Sequence, residues 1–251
     1  MDFSISLEST IFLLGTFAAA FVTGLAGFAF GMVAASIWLF ALPPAETTTL
    51  IVAYALLVQG YATWRLREAI DYKRLLPFVV GSALGIPVGI LILEFARPAY
   101  IRASVGVLLI AFSLYNLTRP KFPVTKELGR GGDAGVGVLN GVLGASTGLG
   151  GILPVIWTTV RGWTRDEQRG VHQPTAFATF ILSLLALGEA GLVTSSTTRL
   201  FLMGLPALIF GTLLGWALYG KLDEATFRKV VLLLLLISGL AIVGMIHDLR
   251  L

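Results

Sequence analysis

The sequence predicts an all-α polytopic membrane protein made of two inverted repeats, each a Gly-rich, broken or re-entrant segment followed by three transmembrane helices. Three observations carry that prediction. Of 251 residues, 56% are apolar and only 13% are charged, whereas an average soluble domain carries about 25% charged residues. The charged residues are placed so as to leave eight charge-free stretches, which read as membrane segments because about 20 helical residues cross about 30 Å of hydrocarbon. The 29 glycines recur in matched order in the two halves.

The first stretch, Ser9 to Ala45, holds 37 residues, and as one helix it would extend about 55 Å. One span needs less and two need more. The segment therefore reads as two half-length helices entering and leaving on the same side, with the turn at Gly27 to Gly31, where glycine admits backbone angles closed to other residues. Three simple spans follow, Thr47 to Trp64, Leu75 to Leu93 and Ala103 to Thr118. A linker over about 119–133 is expected to be cytoplasmic. Ala134 to Val160, at 27 residues, would pass by length as one tilted helix. The repeat argues instead for a second broken segment, turning at Gly148-Leu149-Gly150-Gly151. Gly170 to Gly188, Leu200 to Gly220 and Val230 to His247 complete the second half. Repeat 1 thus covers about 9–118 and repeat 2 about 134–251, within a single integral membrane domain over 1–251.

The repeat rests on two ordered sets. Thr23, Gly24, Gly27 and Gly31 answer to Asn140, Gly141, Gly144 and Gly148, each offset by 117 positions, and Gly85, Gly89 and Arg102 answer to Gly211, Gly215 and Arg228, offset by 126. Basic residues test the topology independently. Eight simple spans would divide the 18 Lys and Arg residues into ten outside and eight inside, which selects no orientation. With both Gly-rich segments re-entrant, only Arg97, Arg102, Arg199 and Arg250 stay outside and the other fourteen are cytoplasmic, the bias a real topology shows. The N-terminus is then external or periplasmic. Each half has an odd number of full spans, so the halves run oppositely through the membrane, and the two tips can meet near the midplane, where inverted-repeat transporters hold substrate.

A broken helix in hydrocarbon leaves backbone N–H groups to be satisfied, and the start of the returning helix carries about half a positive charge. An anion is the natural occupant. In the second tip the expected donors are the amides of Thr147, Gly148, Leu149, Gly150 and Gly151, the hydroxyls of Ser146 and Thr147, and Asn140. In the first, Thr23, Gly27, Phe30 and Gly31 offer amides and aromatic walls with few polar groups. Pro154 suits the first turn of a returning helix, where its missing N–H costs little. His172 and Gln173 precede Pro174, where the sixth segment is expected to begin. His172 reads equally as a ligand donor or proton carrier, since it titrates near neutral pH, and as a headgroup-level residue beside Arg169. Glycines 81, 85, 89, 204, 211 and 215 read as helix-packing positions. Glu189 reads as an external helix end and His247 as solvated.

Several function classes are excluded or weakened. No cysteine is present, which removes thiolate metal sites and thiol redox chemistry; no metal or other cofactor is expected. The basic residues flank apolar segments, so a net charge of +4 reads as membrane topology and not as nucleic-acid binding. The first basic residue is Arg65, so the first apolar segment lacks the basic start of a cleavable leader. Two histidines, at 172 and 247, do not make a zinc-protease pair, and no Gly-x-Ser-x-Gly elbow or lysine-bearing phosphate loop occurs. An intramembrane enzyme would have only Ser146 and His172 as nucleophile and base.

The pattern Phe21-Val22-Thr23-Gly24-Leu25-Ala26-Gly27, echoed by Leu139-Asn140-Gly141-Val142-Leu143-Gly144 in two four-segment halves, resembles the TauE/SafE family of sulfite exporters and related permeases. The resemblance covers roughly Ile11 to Ile246. It implies a multi-pass inner-membrane secondary transporter for a small anion such as sulfite or a sulfonate, working by alternating access, with proton coupling open. The nearest competing expectation is a passive anion channel; a non-transporting scaffold is the more distant one. The sequence gives no oligomeric state, coupling ion or transport direction.

Overall fold

The structure, a computed structural model, describes residues 7–26, 29–65, 67, 70–118, 129–219, 221 and 223–248. The described residues form ten α-helices: α1 Leu7–Ala26, α2 Phe30–Trp38, α3 Pro44–Arg65, α4 Tyr72–Phe95, α5 Pro98–Thr118, α6 Gly129–Thr147, α7 Ile152–Val160, α8 Arg165–Glu189, α9 Ser195–Leu218 and α10 Glu224–Asp248. Six are long and apolar enough to cross a membrane, namely α1, α4, α5, α8, α9 and α10.

Both Gly-rich segments are broken, as the sequence predicts, but their arms are unequal. α1 has 20 residues and α2 nine; α6 has 19 and α7 nine. The longer arms rise about 30 Å and the shorter about 13 Å. The reason lies in what the glycines do. Gly24 and Gly141 sit inside regular helix and permit close packing, and among the described residues the breaks carry left-handed conformations at Ala29, φ 77°, and at Gly148 and Gly151, φ 75° and 97°. Two further boundaries move. α6 begins at Gly129, so 129–133 is helix where a loop was expected. α8 begins at Arg165, capped by the Thr164 hydroxyl and the Glu167 carboxylate in a reciprocal capping box, so Pro174 falls within the helix and not at its start.

The chain divides into two compact units. Unit 1, residues 1–47, 97–120 and 195–251, holds α1, α2, α5, α9 and α10. In it α1 packs along α9, α2 folds back on α1, and α5 packs on α10. Unit 2, residues 48–96 and 121–194, holds α4, α6, α7, α8 and most of α3. In it α6 packs along α4, and α8 packs on α4, α6 and α7.

The two long arms are seated by the same device. A methyl group on Gly211 or Gly215 of α9 would lie 2.6 or 2.5 Å from the carbonyl oxygens of Phe17 and Phe21. On α4, one on Gly85 would collide with the Val138 carbonyl, and one on Gly89 would lie 2.5 Å from that of Val142. These glycines are therefore packing positions, as expected, and the backbones approach closely because no side chain intervenes. The contacts also set the register between the halves: 138 less 17 and 142 less 21 both give 121. The glycine pattern in the sequence gave 117. The difference of four is one helical turn, and by this packing comparison Asn140 corresponds in sequence position to Ala19, not to Thr23.

Candidate functional site

The break between α6 and α7 is built from polar groups of unit 2. Asn140, fully buried, accepts a 2.6 Å hydrogen bond on Oδ1 from the Gly151 N–H. Its Nδ2 donates to Ser82 Oγ on α4 and Thr179 Oγ1 on α8, both at 3.2 Å. Ser82 in turn donates to the Gly137 carbonyl. One amide side chain thus joins α6, α4 and α8 to the residue that starts α7. The Gly148 N–H closes the end of α6 on the Gly144 carbonyl at 3.0 Å, and the Leu149 N–H donates to Thr147 Oγ1 at 3.3 Å. Thr48 of α3 donates to the Ser146 carbonyl.

Counting donors changes the site anticipated from sequence. An anion needs hydrogens, and the Ser146 and Thr147 hydroxyls give theirs to the Val142 and Leu143 carbonyls at 2.7 Å. Both Asn140 donors are taken, as are the amides of Gly148, Leu149 and Gly151. The turn through Gly150 and Gly151 brings the N–H of Ile152 or Leu153, the first two residues of α7, back to the Leu149 carbonyl. Pro154 follows them with no N–H, in the first turn as expected. The positive end of the α7 dipole lies at the same place.

His172 is partly buried and its ring lies against this start: a methyl on Gly151 would be 3.0 Å from Cε1 and 3.7 Å from Nδ1. His172 Nδ1 and Gln173 Oε1 are enclosed with no hydrogen-bond partner. Unit 2 therefore brings Asn140, Ser146, Thr147, Gly148, Gly150, Gly151 and His172 together.

The break in unit 1 differs. Gly27 lies outside the described residues. Thr23 spends its hydroxyl on the Ala19 carbonyl at 2.8 Å. Phe30 and Gly31 are the first two residues of α2 and not part of the turn; Ala29 supplies the left-handed conformation. Phe30 is 5% exposed and its ring meets Trp38 edge-on, with centroids 6.3 Å apart. Trp38 packs on Phe12 at 5.0 Å and donates from Nε1 to the Phe12 carbonyl, filling the notch left by Gly15. Arg102 donates to the Leu39 and Leu42 carbonyls just past the end of α2.

Two sets of residues escaped the sequence reading. Asp133 was counted as linker, yet its side chain is 6% exposed and pairs with Arg161 at 2.6 Å, while Trp157 donates to the same oxygen at 2.7 Å. These bonds close the open end of the α6–α7 pair. Arg161 and Arg74 also lie over the Trp163 ring, at 5.4 and 4.9 Å, and Arg74 pairs with Glu167 at 2.6 Å. The Thr164 backbone N–H, followed by Arg74, holds the Glu167 carboxyl down to about 2. The second missed set is Ser82, Thr175, Thr179 and Ser183, all fully buried. The last three are spaced by four along α8, a signal present in the sequence. Glu189 ends α8 and is exposed, as expected; the His247 side chain lies outside the described residues.

Apolar helices of spanning length, together with helices interrupted at polar backbone, define a polytopic membrane protein of the transporter class. The chain belongs to the sulfite exporter TauE/SafE family, whose model matches residues 11–242, close to the range the sequence resemblance covers. Members of this family are transporters and not enzymes. No curated protein and no solved structure matches the chain.

Proposed function

We propose that this protein is a secondary transporter for a small sulfur oxyanion, sulfite or a sulfonate, working by alternating access, with the start of α7 as an anion contact. The observation that carries this reading is the break before α7, where the positive end of a short helix stands beside side-chain donors that are already committed, in a membrane protein of this family. An oxyanion presents several acceptor atoms and no donor. It suits the positive start of a helix, where backbone N–H groups rather than side chains point at a ligand. Asn140 then acts as a positioning residue that fixes the Gly151 turn, and His172 stands where a proton would be coupled to anion movement.

The reading extends to a finer topology, with the Gly-rich segments re-entrant, the halves inverted and the N-terminus external in the inner membrane; the distribution of Lys and Arg along the sequence supports it. The repeated seating of α1 on α9 and α6 on α4 fits that symmetry. Purified protein in liposomes, assayed for sulfite and sulfonate uptake with and without a proton gradient, tests the function. Saturable flux with counterflow is expected; non-saturating flux without counterflow would make it a channel, and no oxyanion flux would refute the reading. Cysteine labelling tests the topology, with Ala41 to Ala45 expected on the same side as the N-terminus.

A further inference from the structure

The buried hydroxyls of α8 stand apart from others in the chain. A Ser or Thr inside a helix ordinarily gives its proton to a carbonyl three or four residues back, and Thr16, Thr23, Ser36, Ser146, Thr147 and Thr158 all do so. Thr175 and Ser183 do not. Both are 0% exposed and their Oγ atoms have no partner. They lie four residues either side of Thr179, also 0% exposed, whose Oγ1 accepts from Asn140. Thr47, Thr63 and Ser113 also lack a partner, but none of those has a second such hydroxyl four or eight residues away.

A spacing of four places Thr175, Thr179 and Ser183 on one face of α8, with steps of about 6 Å. The adjoining positions of the helix pack on the break: His172 and Ala176 lie against Gly151, and Thr179 and Phe180 against Gly150. Thr179 turns its methyl to Gly150 and its hydroxyl to Asn140, so the line of hydroxyls runs beside the face of α8 that packs on the break. A hydroxyl proton left unused in a membrane interior is destabilising, and back-bonding is the simplest remedy. Of the five enclosed hydroxyls named here that forgo it, Thr175 and Ser183 are the pair that shares one helix face.

We infer that Thr175, Thr179 and Ser183 are successive resting points for the oxyanion as it moves to and from the break, each hydroxyl replacing part of the ion's hydration shell. The inference rests on the transport reading above. Neutral donors suit the task, because a moving ion must be held well enough to enter and weakly enough to leave. A lysine or arginine on this line would trap it.

The test uses the full-length protein in sulfite-loaded liposomes, comparing Thr175→Val, Ser183→Ala and their combination with Thr175→Ser and Ser183→Thr. The double hydroxyl-free variant is expected to lose at least tenfold in sulfite flux while melting no lower than the parent. Serine and threonine exchanges are expected to stay within twofold. Should the double variant melt much lower, the single substitutions decide, each expected to slow flux severalfold. Parental flux in the hydroxyl-free variants overturns the inference, and so does equal loss in the hydroxyl-retaining ones, which would mark a packing role. A parent that carries neither sulfite nor sulfonate refutes the transport reading, and this inference with it.

Discussion

Both short helices have nine residues and both are entered through a left-handed residue, yet α2 follows Ala29 and is held by the Phe12, Phe30 and Trp38 rings, whereas α7 follows Gly151 and is held by Asn140 and Asp133. Backbone geometry is therefore shared and chemistry is divided. Aromatic packing is tolerant of small shifts, since dispersion has no direction. A buried amide with three hydrogen bonds is not, because each partner left unpaired costs desolvation. The comparison teaches that an interrupted helix in a membrane can be closed mainly by aromatic packing or mainly by polar side chains.

The sharpest way to test this contrast is at the open end of the α6–α7 pair. Asp133→Ala removes the partner of a largely buried Arg161 and is expected to destabilise by about 4 kcal/mol, read as a loss of melting temperature in detergent. Trp38→Phe, its counterpart in unit 1, removes one hydrogen bond and should cost about 1 kcal/mol. Equal losses would erase the distinction between the two closures.

Next in size is Asn140→Ala, which strands the Gly151 N–H and two hydroxyls and is expected to cost about 2 to 3 kcal/mol and to abolish anion flux. Thr23→Val loses only a back-bond within its own helix and should stay within about 0.5 kcal/mol, as a substitution that unpairs nothing buried does. Smaller again is a mirrored pair. Gly151→Ala forces a side chain into a left-handed conformation and towards His172 and Ala176, 3.0 and 3.2 Å away, for about 2 kcal/mol. Ala29→Gly relieves such strain but adds freedom to the unfolded chain, so a net gain of about 0.5 kcal/mol is expected by the same melting assay.

The smallest effect is a pH dependence confined to unit 2. The Glu167 carboxyl is lowered to about 2, from about 4.3 for a free side chain. Its contribution is therefore complete above the unfolded value and lost as pH falls through the folded one. Melting should decline between about pH 4.5 and 2, and Glu167→Gln should flatten part of that decline. Because the group is exposed, salt should weaken the effect.

Much of this fold was legible in the sequence. Charge-free stretches located α4, α5, α8, α9 and α10, because burial in hydrocarbon is a property of composition along the chain; Thr47 to Trp64, read as a simple span, is not among the helices apolar enough to cross, whereas α1, read as a half-length arm, is. The length of Ser9 to Ala45 and the adjacent glycines at 150 and 151 located both breaks. The second turn falls on the expected residues because Gly148 and Gly151 take the backbone angles that glycine alone adopts readily. The first was misjudged at Phe30 and Gly31, since an alanine carries the left-handed angle there and no residue pattern announces that. Asp133 was taken for linker because a lone acid after glycines looks solvated until its basic partner, 28 residues on, is brought against it.

Sequence by itself determined the solvent, the number of long apolar helices, the two interruptions and the family, all of which follow from local composition and order. Only tertiary structure decided which donors remain at the break. Hydrogen bonding is saturable: Asn140, named from sequence as a ligand group, is consumed by Gly151, Ser82 and Thr179 once α4, α6 and α8 pack together.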